Sequence, residues 1–242
     1  MPPPLIGGRM NASKRIREIA NHIKHRQIAD IGTDHGYLPI FAITNNLADS
    51  AIAADVNKHP LECAKVNAEA YGVSEAIQFR LGYGLDVLKA GEAETIVIAG
   101  MGGSLMAEIL HKGRDVAASA KQLLLSPHLD IPHLRRELHA LGFVIANETM
   151  LQDDGKYYNV LDVRTSNPQE YDTGGDYSEE EYLLGRHLLY TKPLVFVEYC
   201  RHMAQRYANV TAEIESAAEL GEAGTEKLAQ AKRLHEMYSA VN

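Results

Sequence analysis

Residues 29–39 read ADIGTDHGYLP, and their reading decides the fold. The run Gln27 to Ile31 has the apolar, β-branched character of a buried strand, whereas Leu38 to Leu47 carries the pattern of a helix. Gly32 and Gly36 punctuate the passage from one to the other. A strand that turns through glycines straight into a helix is the opening of a βαβ unit. In open α/β sheets, ligands bind beyond the carboxyl ends of such strands, where glycine admits close backbone approach and the helix amides face the ligand.

Outward from this segment the same alternation recurs. Strand-like runs lie at Ala51 to Val56, Ile77 to Arg80, Thr95 to Ala99 and Gln122 to Leu125, and helical patterns at Pro60 to Tyr71, Ser104 to His111 and Ile131 to Ala140. Right-handed crossovers and a parallel sheet covered on both faces follow. The alternation then stops. Phe143 to Leu151 and Tyr157 to Val163 are two β-rich runs joined by QDDGK, whose Asp154-Gly155 pair favours a tight turn. A parallel sheet ending in an antiparallel hairpin is the arrangement of Rossmann-like methyltransferases, so the predicted class is α/β. Upstream, Ile16, Ile19, Ala20 and Ile23 predict a basic amphipathic helix within residues 12–24. Downstream, SNPQEYDTGGDYS (166–178) reads as a linker, and helical stretches near Pro193 to Leu220 and Thr225 to Val241 predict a coiled-coil hairpin. The expected division is a catalytic domain over 1–165 and a linker with helical hairpin over 166–242.

A chain of 242 residues with 45% hydrophobic composition can bury a full α/β core. The sequence has no apolar run of spanning length and no secretory h-region, which predicts a soluble cytoplasmic protein without membrane contact. Cys63 and Cys200 sit in helix-like patterns and form no disulfide framework. Eleven histidines show no metal-ligand spacing, so no metal is expected. The net charge of -8 excludes a protein that coats nucleic acid by global attraction. A local patch is compatible with it: Arg9, Lys14, Arg15, Arg17, Lys24 and Arg26 face only Glu18 in their stretch, a pattern that fits either RNA contact or a solvated helix face.

The loop Asp30-x-Gly32-x-Asp34-x-Gly36 lacks dinucleotide glycine spacing, and Asp34 would meet a pyrophosphate with like charge. A cofactor bearing an ammonium group tolerates that acid, so the loop favours S-adenosylmethionine over NAD. Asp55, 25 residues after Asp30 at the end of the next strand, is placed to accept ribose hydroxyls. Gly82-Tyr83-Gly84 can border an adenine ring, and the IAGMGGSLM stretch, with Gly100, Met101, Gly102 and Gly103, can let substrate approach the methyl group.

On these residues the chain resembles the bacterial tRNA (adenine-22-N1)-methyltransferase family. The blocks are Ser13-Lys14-Arg15-Ile16, ADIGTDHGYLP, FRLGYGLDVL, IVIAGMGGSLM and DDGKYYNVL. The resemblance implies S-adenosylmethionine as donor and tRNA as partner, and a monomer or weak homodimer is expected. Implied cofactor contacts are Asp30, Gly32, Asp34, His35, Gly36 and Tyr37 from the first loop. Arg15, Asp55, Val56, Gly82, Tyr83, Gly100 and Met101 complete the expected cofactor set. Tyr83 replaces an acid of the family's GDGL block, Ser126-Pro127-His128 replaces QPN, and His59-Pro60-Leu61 replaces GPF. Asp34, His35 and His128 are the candidates for catalytic proton handling, and Lys14, Arg15 and Arg17 for RNA binding. A methyltransferase acting on a small molecule or protein, and a non-catalytic RNA-binding protein, are the competing readings.

Overall fold

In the computed structural model, which describes residues 5–6, 9–10, 12–165, 176–216 and 221–241, the chain divides into two units, Met1–Tyr177 and Ser178–Asn242. The first opens on a short antiparallel pair, β1 (Leu5–Ile6) and β2 (Arg9–Met10), too short to leave a periodic signal. Helix α1 (Lys14–Asn21) follows, inside the expected span 12–24. The Ser13 hydroxyl accepts the Ile16 N–H at 3.2 Å, capping its start. α1 has no acid in its own first turn, and the carboxylate of Asp153 supplies one from afar by accepting the Arg15 N–H at 3.1 Å.

The alternation read from the sequence then unfolds as β3 (Gln27–Ile31), α2 (Tyr37–Thr44), β4 (Ser50–Asp55), α3 (Lys58–Ala70), β5 (Ile77–Leu81) and β6 (Thr95–Ala99). It continues through α4 (Gly103–Lys112), α5 (Arg114–Ser119), β7 (Gln122–Ser126) and α6 (Ile131–Ala140) to β8 (Val144–Asp153) and β9 (Lys156–Arg164). The strand order is β5-β4-β3-β6-β7-β9-β8, parallel from β5 to β7, with β9 antiparallel to both neighbours. Asp154 and Gly155, with φ of 49° and 73°, form the two-residue turn that the hairpin requires.

Residues alternate between two apolar faces because the side-chain period of a strand is two. Ala29, Ile31, Ile96, Ile98, Leu123 and Leu125 pack with Met106, Leu110, Leu134 and Leu138 of α4 and α6. Ile28, Ala53, Val97 and Leu124 meet α1, α2 and α3 on the other side. The sheet reverses its order between β3 and β6, and the crevice at such a switch point is where an open α/β sheet binds ligands.

The second unit contains α7 (Glu179–Leu184), α8 (Arg186–Thr191), α9 (Leu194–Glu215) and α10 (Glu222–Ser239). Helices α7 and α8 are too short for a clear period and were not expected from sequence; Ser178 and Glu181 cap α7 with a reciprocal box. Of the expected linker 166–178, residues 166–175 lie outside the described residues, as do 217–220 of the expected helix ending at Leu220. The short connection between α9 and α10 makes them antiparallel, with Tyr207 stacked on Tyr238 at 5.8 Å and Lys232 paired with Glu215 at 2.6 Å. Cys200 is buried in α9, Cys63 half-buried in α3, and both are free thiols. Among the described residues, no helix is long and apolar enough to cross a membrane.

The ion pair between α6 and β8 is wholly internal. Arg135 of α6 holds Glu148 of β8 through two hydrogen bonds, at 3.1 and 2.6 Å, and Asn159 of β9 donates to the same carboxylate at 2.6 Å. Such a pair repays its desolvation only while both partners are present. Glu148→Ala is expected to lower unfolding stability by roughly 3–5 kcal/mol, and Arg135→Met with Glu148→Leu to lose far less. Urea titration checks this; a Glu148→Ala protein within about 1 kcal/mol of the parent would remove the pair from the list of fold determinants.

Candidate active site

The turn after β3 is shaped by backbone bonds to β4. The N–H groups of Gly32 and Thr33 both donate to the Ala54 carbonyl at 2.9 Å. Gly32 has φ of 75°, and a side chain there would collide with the Met101 methyl, which lies 2.3 Å from where its Cβ would be. Gly36 caps α2 against α3, where a Cβ would stand 2.9 Å from that of Ala64. Asp55, buried at the end of β4, accepts the Asp34 N–H at 3.2 Å and the Asn57 N–H at 2.8 Å, so one carboxylate fastens both loops.

Two clefts meet over Gly32, Ala99 and Gly100, at the ends of β3 and β6. The smaller, about 220 Å³, is lined by Asp55, Val56, Gly82, Tyr83, Met101 and Leu105 among others. Val56 and Leu105 are 58% and 39% exposed, an apolar wall left open to solvent. The larger, about 360 Å³, is lined by Arg15, Asp30, Thr33, Asp34, Tyr37 and His128, with Ile16, Ile19 and Leu38 as its apolar side. The smaller cleft thus has one carboxylate and an apolar slot, and the larger gathers acidic, cationic and imidazole groups.

Residues 12–161 match the family described as a methyltransferase domain. Over 211 residues, 87% of this chain and 88% of the relative, the sequence is 35% identical to the tRNA (adenine(22)-N(1))-methyltransferase of Bacillus subtilis strain 168. The chain belongs to the tRNA (adenine(22)-N(1))-methyltransferase family. The B. subtilis tRNA methyltransferase TrmK superposes with a TM-score of 0.84 at 34% identity, over 96% of this chain and 98% of that one. A Streptococcus pneumoniae homologue solved in complex with S-adenosyl-L-methionine superposes at 0.82, with 30% identity over 95% and 98% of the two chains.

Of the residues singled out in the sequence, Arg15, Asp30, Gly32, Asp34, Tyr37, Gly100 and His128 converge on the larger cleft, and Asp55, Val56, Gly82, Tyr83 and Met101 on the smaller. His35 and Gly36 line neither: the His35 ring leans on Tyr37 at 5.5 Å, its Nε2 lies 3.5 Å from the Asp34 carboxylate, and its carbonyl accepts from Asn67. The Asp34 side chain is 70% exposed at the cleft rim. Tyr83 donates its hydroxyl to Glu108 at 3.1 Å, with the Lys112 ammonium 5.1 Å from its ring centroid. The basic run divides. Lys24 pairs with Asp162 at 3.0 Å and Arg26 with Asp49, whereas Lys14 and Arg17 stand exposed beside the cleft-lining Arg15. Thr33 and Tyr158 are not singled out by the sequence: the Thr33 hydroxyl donates to Asp30 three residues back, whereas the Tyr158 ring meets Arg15 and His128, which no local spacing encodes.

Asp30 is 4% exposed, and burial pushes its carboxyl up to about 6. The Thr33 hydroxyl, donating at 2.7 Å, and Arg15 offset part of this, while Asp55 and Asp34 add to it. A carboxyl raised on folding penalises the native state above its folded midpoint, and the penalty vanishes below the unfolded value. Asp30→Asn is therefore expected to stabilise the ligand-free protein at pH 7.5 by on the order of 2–3 kcal/mol. The gain should fade as pH falls from about 6 to about 4. Unfolding curves across that range check it, and a gain that is absent or independent of pH would contradict the assignment.

Proposed function

We propose that this protein transfers the methyl group of S-adenosylmethionine to N1 of an adenine in tRNA, adenine 22 in keeping with its family. The observation that carries the reading is the junction of the two clefts at Gly32 and Gly100, where a nucleoside-sized slot opens onto a larger chamber at the sheet's switch point. The donor fits these residues. Asp55 keeps lone pairs free for ribose hydroxyls, and the exposed Val56 and Leu105 offer a dry slot for the purine, bordered by Tyr83 and Met101. Asp30 and Asp34 supply negative potential to a cationic ligand, and the cost of burying Asp30 falls once a positive charge stands beside it.

When bound, S-adenosylmethionine supplies an electrophilic methyl on a cationic sulfur. The remaining work belongs to the chain. Adenine N1 already carries an in-plane lone pair, so holding it in line and excluding water provide most of the acceleration. Ile16, Ile19 and Leu38 give the larger cleft its apolar side. The methylated ring is cationic, and the Asp34 carboxylate at the rim stabilises that charge. His128, held neutral by burial and by Arg15, is available to take a proton from the exocyclic amine. Because N1 lies on the pairing edge, the adenine must leave its stack to enter the cleft.

Lys14, Arg15 and Arg17 form the patch that meets RNA, and the helical pair of the second unit, a short coiled coil, carries its own exposed cations at Arg201, Arg206, Lys227 and Arg233. The protein works in the cytoplasm. Incubation with labelled S-adenosylmethionine and unmodified tRNA, followed by mapping of the methylated nucleoside, tests the whole reading; label confined to protein or small molecules would overturn the acceptor.

Two substitutions separate donor from acceptor. Asp55→Ala is expected to weaken S-adenosylmethionine by roughly 1.5–3 kcal/mol in calorimetry, through loss of a charge-assisted acceptor. Lys14→Glu with Arg17→Glu should raise the tRNA requirement, mimic added salt and leave donor affinity nearly intact. Equal tRNA methylation by the charge-reversed protein across ionic strength would place the RNA elsewhere.

A further inference from the structure

Three segments remote in sequence meet at one ring on the wall of the larger cleft. Tyr158 of β9 lies under Arg15 of α1, with the guanidinium carbon 5.1 Å from its ring centroid. Its edge meets the His128 imidazole, centroid to centroid 5.9 Å at 64°. Arg15 and His128 line the cleft, whereas Tyr158 stands behind them. The backbone is fixed as well. Asp153, at the other side of the same hairpin, holds the Arg15 N–H, and the His128 N–H donates to the Met101 carbonyl at 2.9 Å.

We propose that Tyr158 is the positioning residue of the acceptor cleft. It fixes the Arg15 guanidinium and the His128 imidazole so that His128 accepts a hydrogen bond from the 6-amino group of the target adenine. This rests on the methyl-transfer reading above. The groups facing the imidazole are Arg15 from α1, Lys156 and Tyr158 from β9, and the backbone of Gly100 after β6, with Asp34 lining the same cleft. Burial, then Arg15, lowers the proton affinity of His128, and Lys156 acts in the same direction. The His128 Nε2 lies 3.8 Å from where a Cβ on Gly100 would stand, and the Gly100 backbone beside it raises the proton affinity of the ring in part. A neutral imidazole donates from one nitrogen and accepts at the other. An acceptor facing the cleft meets the 6-amino group of adenine favourably and the 6-carbonyl of guanine lone pair to lone pair. The same contact sets the in-plane orientation of the base and thereby aims N1. Arg15 keeps the acceptor unprotonated, and Tyr158 keeps Arg15 and His128 in register; the cation–π contact uses the ring and not the hydroxyl.

The test uses the full-length protein with S-adenosylmethionine, comparing Tyr158→Phe, Tyr158→Leu and His128→Ala with the parent. Tyr158→Phe should match the parent. Tyr158→Leu should lose roughly 10–100-fold in kcat on tRNA, because the approach geometry of the base is disturbed. In NMR titration of His128, the midpoint should move up in Tyr158→Leu, where Arg15 is released, and stay in Tyr158→Phe. A tRNA carrying unsubstituted purine at the mapped adenine keeps N1 but lacks the amine. Loss of the amine also makes N1 a weaker nucleophile, so the purine form is slower for every variant; the parent should discriminate against it roughly 10–100-fold more than His128→Ala does. Should the parent leave tRNA unmethylated, the function reading falls, and the NMR comparison still decides the role of Tyr158. If the parent methylates tRNA but Tyr158→Leu matches Tyr158→Phe in rate and midpoint, the role of Tyr158 falls alone. Equal rates on purine and adenine for the parent, or undiminished discrimination by His128→Ala, overturn the amine contact.

Discussion

The parallel register of β3 against both its neighbours is the constraint on which the site depends. Asp30 stands opposite Ala53 on one side and Val97 on the other, so the ends of three strands fall at one level. The chain leaves β3 through a turn whose amides are already committed to the Ala54 carbonyl, and Asp55 then ties that turn to the one after β4. A slip of one residue would exchange the faces of Asp30 and Ile31 and carry the carboxylate out of the crevice. Small residues at Ala29, Ala51, Ala53 and Ala54 keep this region narrow enough for helices to sit close on both faces.

The second requirement is closure by the N-terminal helix. Gln122 of β7 donates to the His22 carbonyl at 2.8 Å and accepts from the Lys24 N–H at 3.1 Å, while its amide also donates to Asp162 of β9. Lys24 pairs with Asp162 in turn. A buried amide with every group engaged is a specific fastening, because any unmet donor would cost the whole desolvation of that group. At the other end of α1, Asp153 holds Arg15. The helix that supplies one wall of the larger cleft is therefore pinned at its start to a strand 138 residues away and just past its end to one 100 residues away.

This explains what the sequence discloses and what it withholds. The strands of the parallel sheet were legible because each is a continuous apolar run bounded by turn residues, and the hairpin because Asp154-Gly155 can take two left-handed conformations. Asp30, Gly32 and Asp55 were legible because strand ends carry ligands in this architecture. Tyr158 was not. It belongs to a strand of nine residues, and its importance lies in contacts with residues 15 and 128 that no local spacing encodes. The basic run was only half legible for the same reason: Asp49 and Asp162, which take up Arg26 and Lys24, are distant in sequence, leaving Lys14 and Arg17 exposed.

An acidic protein that handles a polyanion and a cationic donor must keep their charges apart. Here the carboxylates Asp30, Asp34 and Asp55 gather around the glycine turn, and Arg15, with Lys156 nearby, lies on the wall built by α1 and the hairpin. At close range these fields are weakly screened, so each half of the site favours one charge. On the reading proposed above, a positively charged donor is drawn toward the acids and phosphates toward the basic wall. The transfer itself moves positive charge from sulfur to the purine ring. On the same reading, the exposed Asp34 carboxylate offsets the charge arriving on the purine, and more strongly in the transition state than with the neutral ground-state base.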